Sequence, residues 1–148
     1  MDFATMGQTL AKNDGIEMHL VGPDGVTELY AVKGENGDWS VTSDPDAEGA
    51  LPCVFTVVGQ DSRAYRRRKH ELVDALRARQ KVLKSAQIET EAMKMVAAGV
   101  TGWSSIPWEG ELLEFSDDNL LKFLDLYRPA FDQTNEFIGD RTNFLRVA

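Results

Sequence analysis

Cys53 is the only cysteine among 148 residues, so no internal disulfide can form, and the composition fits a reducing cytoplasm. Histidine is scarce as well. His19 and His70 fall in a strand-like and a helix-like stretch, without a cysteine or carboxylate at ligand spacing. No C-x-x-C, H-E-x-x-H or glycine-rich phosphate loop occurs. The apolar runs span only a few residues, too short to cross a bilayer. The N-terminus, MDFATMGQTLAKNDG, lacks the basic start and apolar block of a secretion signal. Cys53 itself sits in the most hydrophobic stretch, where a buried small side chain is expected rather than a nucleophile. Together these absences argue against an enzyme, and no catalytic residue, metal or cofactor is expected.

What the chain has in plenty is charge, unevenly distributed. Residues 1–60 carry two basic and ten acidic side chains, net −8. Residues 61–84 carry nine basic and three acidic, net +6. Residues 85–148 carry five basic and eleven acidic, net −6. An acidic whole disfavours indiscriminate contact with nucleic acid. The stretch RAYRRRKHELVDALRAR can be read as a nucleic-acid helix, but Tyr65 is its only aromatic. A solvated face paired at i,i+4 with Glu71 and Asp74 is the plainer reading. An acidic protein partner is the more economical functional one.

The signals before Gly59 are those of strands. Ile16, Met18 and Leu20 alternate, a Pro-Asp-Gly turn follows, and Val26 to Val32 form a second run. Trp39 and Val41 suggest a short further strand, and 44–52 an exposed loop. LPCVFTVVG, residues 51–59, reads as a central strand buried on both faces. From Asp61 the period changes. Asp61 or Ser62 can cap a helix, and no proline or glycine follows until Gly99, a natural C-cap. Tyr65, Leu72, Leu76, Leu83 and Met93 fall near one face. Unbroken, that helix would be roughly 50 Å long, so a break near Ser85 is one outcome to look for. Ser116 caps a further helix with Asp117 and Asp118 in its first turn, and Arg128-Pro129 opens the last, with Gly139 as a point of kinking.

The expected fold class is therefore α+β. A small N-terminal antiparallel β-sheet or partial barrel occupies residues 1–60. A helical domain occupies 61–148, with a long basic helix 61–98, a tryptophan-containing loop 100–115, and a C-terminal helical hairpin of 116–127 and 129–145. In that loop Trp103 and Trp108 either fill the groove where helices meet or form an aromatic anchor for a partner. Candidate partner-binding residues are the cations Arg66, Arg67 and Arg77, the indoles Trp103 and Trp108, and Leu121 and Phe131 on the terminal helices.

The order of these features resembles that of tail assembly chaperones of bacteriophages with long, non-contractile tails. The resemblance covers roughly residues 51–148. It is carried by Gly59-Gln60-Asp61-Ser62 after a strand, Tyr65 and a basic helix, and Val100-Thr101-Gly102-Trp103. Phe115-Ser116 opening a helix with Asn119 and Leu120-Leu121 comes next, and Phe137-Ile138, Arg141 and Asn143-Phe144-Leu145 close it. Ile106-Pro107-Trp108 departs from the family's short Gly-Trp-Gly-acidic loop. The resemblance implies a non-catalytic protein of the infected bacterial host's cytoplasm, absent from the mature virion. Its implied partners are the tape-measure protein and the tail-tube protein. Many copies acting along one partner, with self-association among them, fit modest affinity per copy. A permanent minor tail or tail-completion protein of the virion is the alternative.

Overall fold

The computed structural model describes residues 2–12, 14–79 and 85–145, less the side chains at 75, 76, 78, 79, 85 and 86. Leu83, and Lys81 and Lys84 among the nine basic residues of 61–84, lie outside the described residues, as do the side chains of Leu76 and of Arg79 from the same count.

The chain is α+β, with small antiparallel sheets; most strands precede the main helices, but a helix opens the chain and, among the described residues, three strands follow the helix Ser85–Ala97. A helix not anticipated from sequence, α1 (Phe3–Leu10), opens it, capped by the Asp2 carboxylate on the Thr5 N–H at 2.9 Å. The next strands are β1 (Ile16–His19), β2 (Tyr30–Lys33), β3 (Trp39–Thr42), β4 (Leu51–Pro52) and β5 (Val54–Val57). The β1–β2 excursion turns at Pro23-Asp24-Gly25. There the Asp24 carboxylate accepts from the Thr27 hydroxyl and from the Thr27 and Val26 N–H groups, which holds its pKa at about 2.

Of the run 51–59, only β5 is a central strand; Leu51 and Pro52 form β4, an exposed edge strand of another sheet. Val54, Phe55, Val57 and Val58 are buried, and β5 is paired on both edges. At Cys53 the strand changes partner: β4 pairs with β2, and β5 pairs with β1 from Ile16↔Val57 to His19↔Val54. The second edge of β5 is taken by β6 (Val100–Ser104), in the register Val54↔Ser104 to Val57↔Val100, with an irregularity between Thr56 and Val57. Residues 100–115 are thus not a loop. After β6 comes a hairpin, β7 (Pro107–Trp108) and β8 (Glu111–Leu112), turned by Glu109 and Gly110 at φ 52° and 87°. Positive φ at both central residues suits the right-handed twist of paired strands. The Gly110 carbonyl accepts from the Trp39 N–H at 2.7 Å, tying the hairpin to β3.

The division at residue 60 is corrected for the same reason. A single buried cluster joins Met18, Leu20, Phe55 and Val57 to Met93, Val96, Leu120, Leu124, Ile138 and Phe144. A sheet that takes its third strand from beyond residue 99 cannot close a core of its own before residue 60.

The span 61–98 is likewise not one rod. It holds α2 (Arg63–Arg79) and α3 (Ser85–Ala97), which lie side by side, with Ala64 and Arg67 across a groove from Lys94 and Ala97. A straight rod would carry Met93 and Val96 away from the body, whereas two shorter helices bring them into the core. Ser62, not Asp61, caps α2, accepting from the Tyr65 N–H at 3.1 Å. Asp61 instead takes the Arg141 guanidinium, with Nη2–Oδ1 at 3.1 Å. Gly99 follows α3 at a close approach: a Cβ there would stand 2.3 Å from Ile138 Cδ1.

Helix α4 (Asp117–Leu126) begins as expected, with the Ser116 hydroxyl accepting from Asn119 N–H at 3.1 Å. Tyr127 alone separates it from α5 (Arg128–Gly139), which has proline in its first turn. The last helix ends at Gly139 rather than running to 145. Asp140 leaves the helical conformation, and its carboxylate accepts from the Thr142 N–H to start a short 3-10 turn, Arg141–Phe144.

Candidate functional site

Six of the seven candidate residues divide among three places, and Phe131 stands apart. Trp103, on β6, works inside its own fold. Its ring stacks on Phe55 at 5.7 Å, meets Phe115 edge-on at 5.2 Å, and lies 5.7 Å from Phe123. Its Nε1 donates to the Leu113 carbonyl at 2.8 Å. The indole therefore fastens the central sheet to the segment entering α4, and both its face and its polar end have partners.

Trp108 stands on β7 with its ring 5.6 Å from Phe123 and Lys122 Nζ 5.5 Å from the ring centre. Its Nε1 is buried and finds no acceptor among the described residues. With Leu20, Leu29, Ile106, Phe123 and Tyr127, the ring walls an apolar cavity of about 310 Å³ that Val41 of β3 also lines. Cys53 also reaches this cavity, and burial pushes its thiol up to about 11, which suppresses the thiolate. The hydroxyl of Tyr127 donates to the Val21 carbonyl at 3.2 Å, and Gln133 clasps the same excursion through Val21 N–H and the His19 carbonyl. His19 is occupied on both nitrogens: Nδ1 is 2.6 Å from Glu28, and Nε2 is 2.7 Å from the Leu29 carbonyl. Among the described residues, no group of three or more His, Cys, Asp or Glu is placed to hold a metal ion.

The third place is the surface of α2. Arg63, Arg66, Arg67, Arg68, Lys69 and Arg77 are all exposed, and none of the helix's described side chains is fully buried. The helix sequence has seven basic and two acidic residues, net +5; against −8 for the whole chain, the remainder carries −13. The Arg68–Glu71 contact at 3.5 Å, between side chains more than half exposed, is the one ion pair that α2 makes among the described residues. Such pairs contribute little. Arg66 adds a smaller, coulombic pull to the Asp61 carboxyl, which is held below the usual range chiefly by its hydrogen bond from Arg141.

Between α2, α3 and the start of α4 runs a groove of about 480 Å³. Arg67, Arg68 and Glu71 line one wall, Asp117 the other, and Lys94 stands on α3 at 3.6 Å from Glu91. Ala97, Ala98, Val100, Leu120 and Leu121 form an apolar floor. Of the seven sequence candidates, the fold brings Arg67 and Leu121 together here. Arg66 shares the helix but not the groove lining, and Arg77 lies at the far end of α2. Phe131 is half-buried on α5, beneath the Arg128 guanidinium at 5.0 Å. Sequence reading missed Lys94 and Ala97 as groove residues, because they meet Arg67 only once α3 lies against α2. Their helical spacing beside Met93 and Val96 was the available signal.

No protein-family model, curated protein or solved structure matches this chain.

Proposed function

We propose that this chain is a non-catalytic tail assembly chaperone of a long-tailed bacteriophage. In this reading it binds the tape-measure protein in the infected host's cytoplasm and helps recruit tail-tube subunits before leaving the assembling tail. The order of short motifs over residues 51–148 supports the reading. The observation that carries it is the surface of α2. A helix with six exposed cations and one weak ion pair among the described residues stands beside an apolar-floored groove. Such a surface suits reversible contact with another polypeptide better than it suits bond chemistry. Reversibility matters, because polymerising tube subunits have to displace whatever shields a tape measure's apolar stripes.

Coexpression with a candidate tape-measure protein tests the proposal. A soluble complex that copurifies is expected. A tape-measure protein equally soluble without this chain, with no complex recovered, rules the function out. Mass spectrometry of purified virions then separates transient from permanent roles. Stoichiometric presence in mature particles would make the chain a minor tail or tail-completion protein instead.

A further inference from the structure

We propose that the groove between α2 and the α3–α4 wall seats an acidic amphipathic segment of the partner polypeptide, with its carboxylates along the edge facing α2. This rests on the polypeptide-holding function above and adds the partner's chemistry. The argument is charge complementarity around an apolar floor. Arg67 lines the groove, is exposed, and enters no ion pair among the described residues. Beside it, Arg68 holds Glu71 at 3.5 Å in a pair open to solvent, which a partner's carboxylate can replace at little cost. The floor offers small side chains at Ala97 and Ala98 and the half-buried Leu121, over the enclosed Leu120, so apolar side chains can descend between the walls. On the opposite wall Lys94 is already engaged by Glu91 at 3.6 Å and Asp117 adds a carboxylate, so the uncommitted positive charge lies along the α2 edge and the occupant's carboxylates are placed there.

Nucleic acid fits the same groove poorly. Glu71 and Asp117 stand among its cations, and none of its described lining residues is aromatic for base stacking.

The test uses the full chain and fluorescein-labelled helical peptides of about four turns. One peptide has a leucine–alanine stripe flanked on one edge by glutamates; the second replaces those glutamates with glutamine. A single-stranded RNA of similar length is the third probe. Anisotropy is read at about 50 and about 300 mM salt. The glutamate peptide is expected to bind about tenfold or more tightly than the glutamine peptide, and to weaken as salt rises. Joint Arg67→Glu and Arg68→Glu substitution, at exposed positions that leave the core untouched, is expected to abolish that preference. Lys33→Glu, exposed on β2, is expected to leave it intact. Equal binding of the two peptides, full binding by the doubly substituted chain, or tighter binding of the RNA would each overturn the assignment. If the peptides ignore the groove while the doubly substituted chain still copurifies with the tape-measure protein, the groove is wrong and the holding function stands. If the unsubstituted chain captures neither peptide nor tape-measure protein, both fall.

Discussion

The two indoles of the 100–110 segment are expected to respond in opposite ways to the same substitution. Trp103→Phe removes the N–H that donates to the Leu113 carbonyl at 2.8 Å and trims a ring packed on Phe55, Phe115 and Phe123. The hydrogen bond contributes about 1 kcal/mol net. The apolar surface lost with the smaller ring adds about 1 kcal/mol. The expected cost is therefore about 2 kcal/mol. Trp108→Phe loses a similar amount of ring surface, but it also deletes a buried N–H without an acceptor among the described residues. Relief of that unsatisfied donor returns about 1 to 3 kcal/mol, so the net effect lies between neutral and about 2 kcal/mol stabilising. Urea unfolding followed by far-ultraviolet circular dichroism reads both, because each substitution changes the fluorescence directly. For an m-value of about 2 kcal/mol/M, Trp103→Phe lowers the midpoint by about 1 M, while Trp108→Phe leaves it in place or raises it. A midpoint that falls as far for Trp108→Phe as for Trp103→Phe would show that the second N–H has a partner after all, and the reasoning would fail.

Gly99→Ala places a Cβ 2.3 Å from Ile138 Cδ1 and is expected to cost about 1 to 3 kcal/mol by overpacking. Ile138→Val removes that methyl, so the double substitution should recover part of the loss in thermal melts. The Cys53 thiol, pushed up to about 11 by burial, is expected to resist iodoacetamide in the folded protein and to react readily in urea; equal rates would refute its burial. Because its folded pKa lies above its unfolded one, stability is retained below the ordinary thiol range and lost as pH rises toward 11, and Cys53→Ala should flatten that alkaline decline. The Asp61 carboxyl is held low by Arg141, so its contribution is present above the ordinary carboxylate pKa and disappears as pH falls through the lowered one. Both groups are partly solvated, so Arg141→Ala should lower the urea midpoint only slightly at neutral pH and not at all in acid.

The parts of this fold that were legible were those where local chemistry and tertiary outcome agree. The apolar run at 51–59 reads as a central strand, and β5 is one because Phe55, Val57 and Val58 are enclosed on both sides. Ser116 reads as a cap, and its hydroxyl caps α4. Elements built from weak local preference and strong distant contacts were not legible. Val100-Thr101-Gly102-Trp103 contains a glycine and precedes serines and a proline, which is loop chemistry; it is a strand only because β5 offers it an open edge. Glu109-Gly110 lacks the asparagine or aspartate that usually marks a tight hairpin, so β7 and β8 were hidden. At the N-terminus, Asp2 with Phe3, Met6 and Leu10 spaced at three and four carried the signal for α1, and the strand-like character of the following residues masked it. The basic character of α2 was plain from sequence. Its groove was not, since the facing wall belongs to residues some 30 to 50 positions further along.

The late arrival of β6 has a consequence for synthesis. As the chain leaves the ribosome, β1 and β5 are available early, but the strand that closes the far edge of β5 emerges only after α2 and α3 have been translated. For that interval Val54, Phe55 and Val57 sit on a strand with unpaired backbone groups, the arrangement most open to pairing with a neighbouring nascent chain. Truncations ending between residues 60 and 99 should therefore aggregate, and polysome crowding should lower the yield of native protein more than slow refolding of the finished chain would suggest.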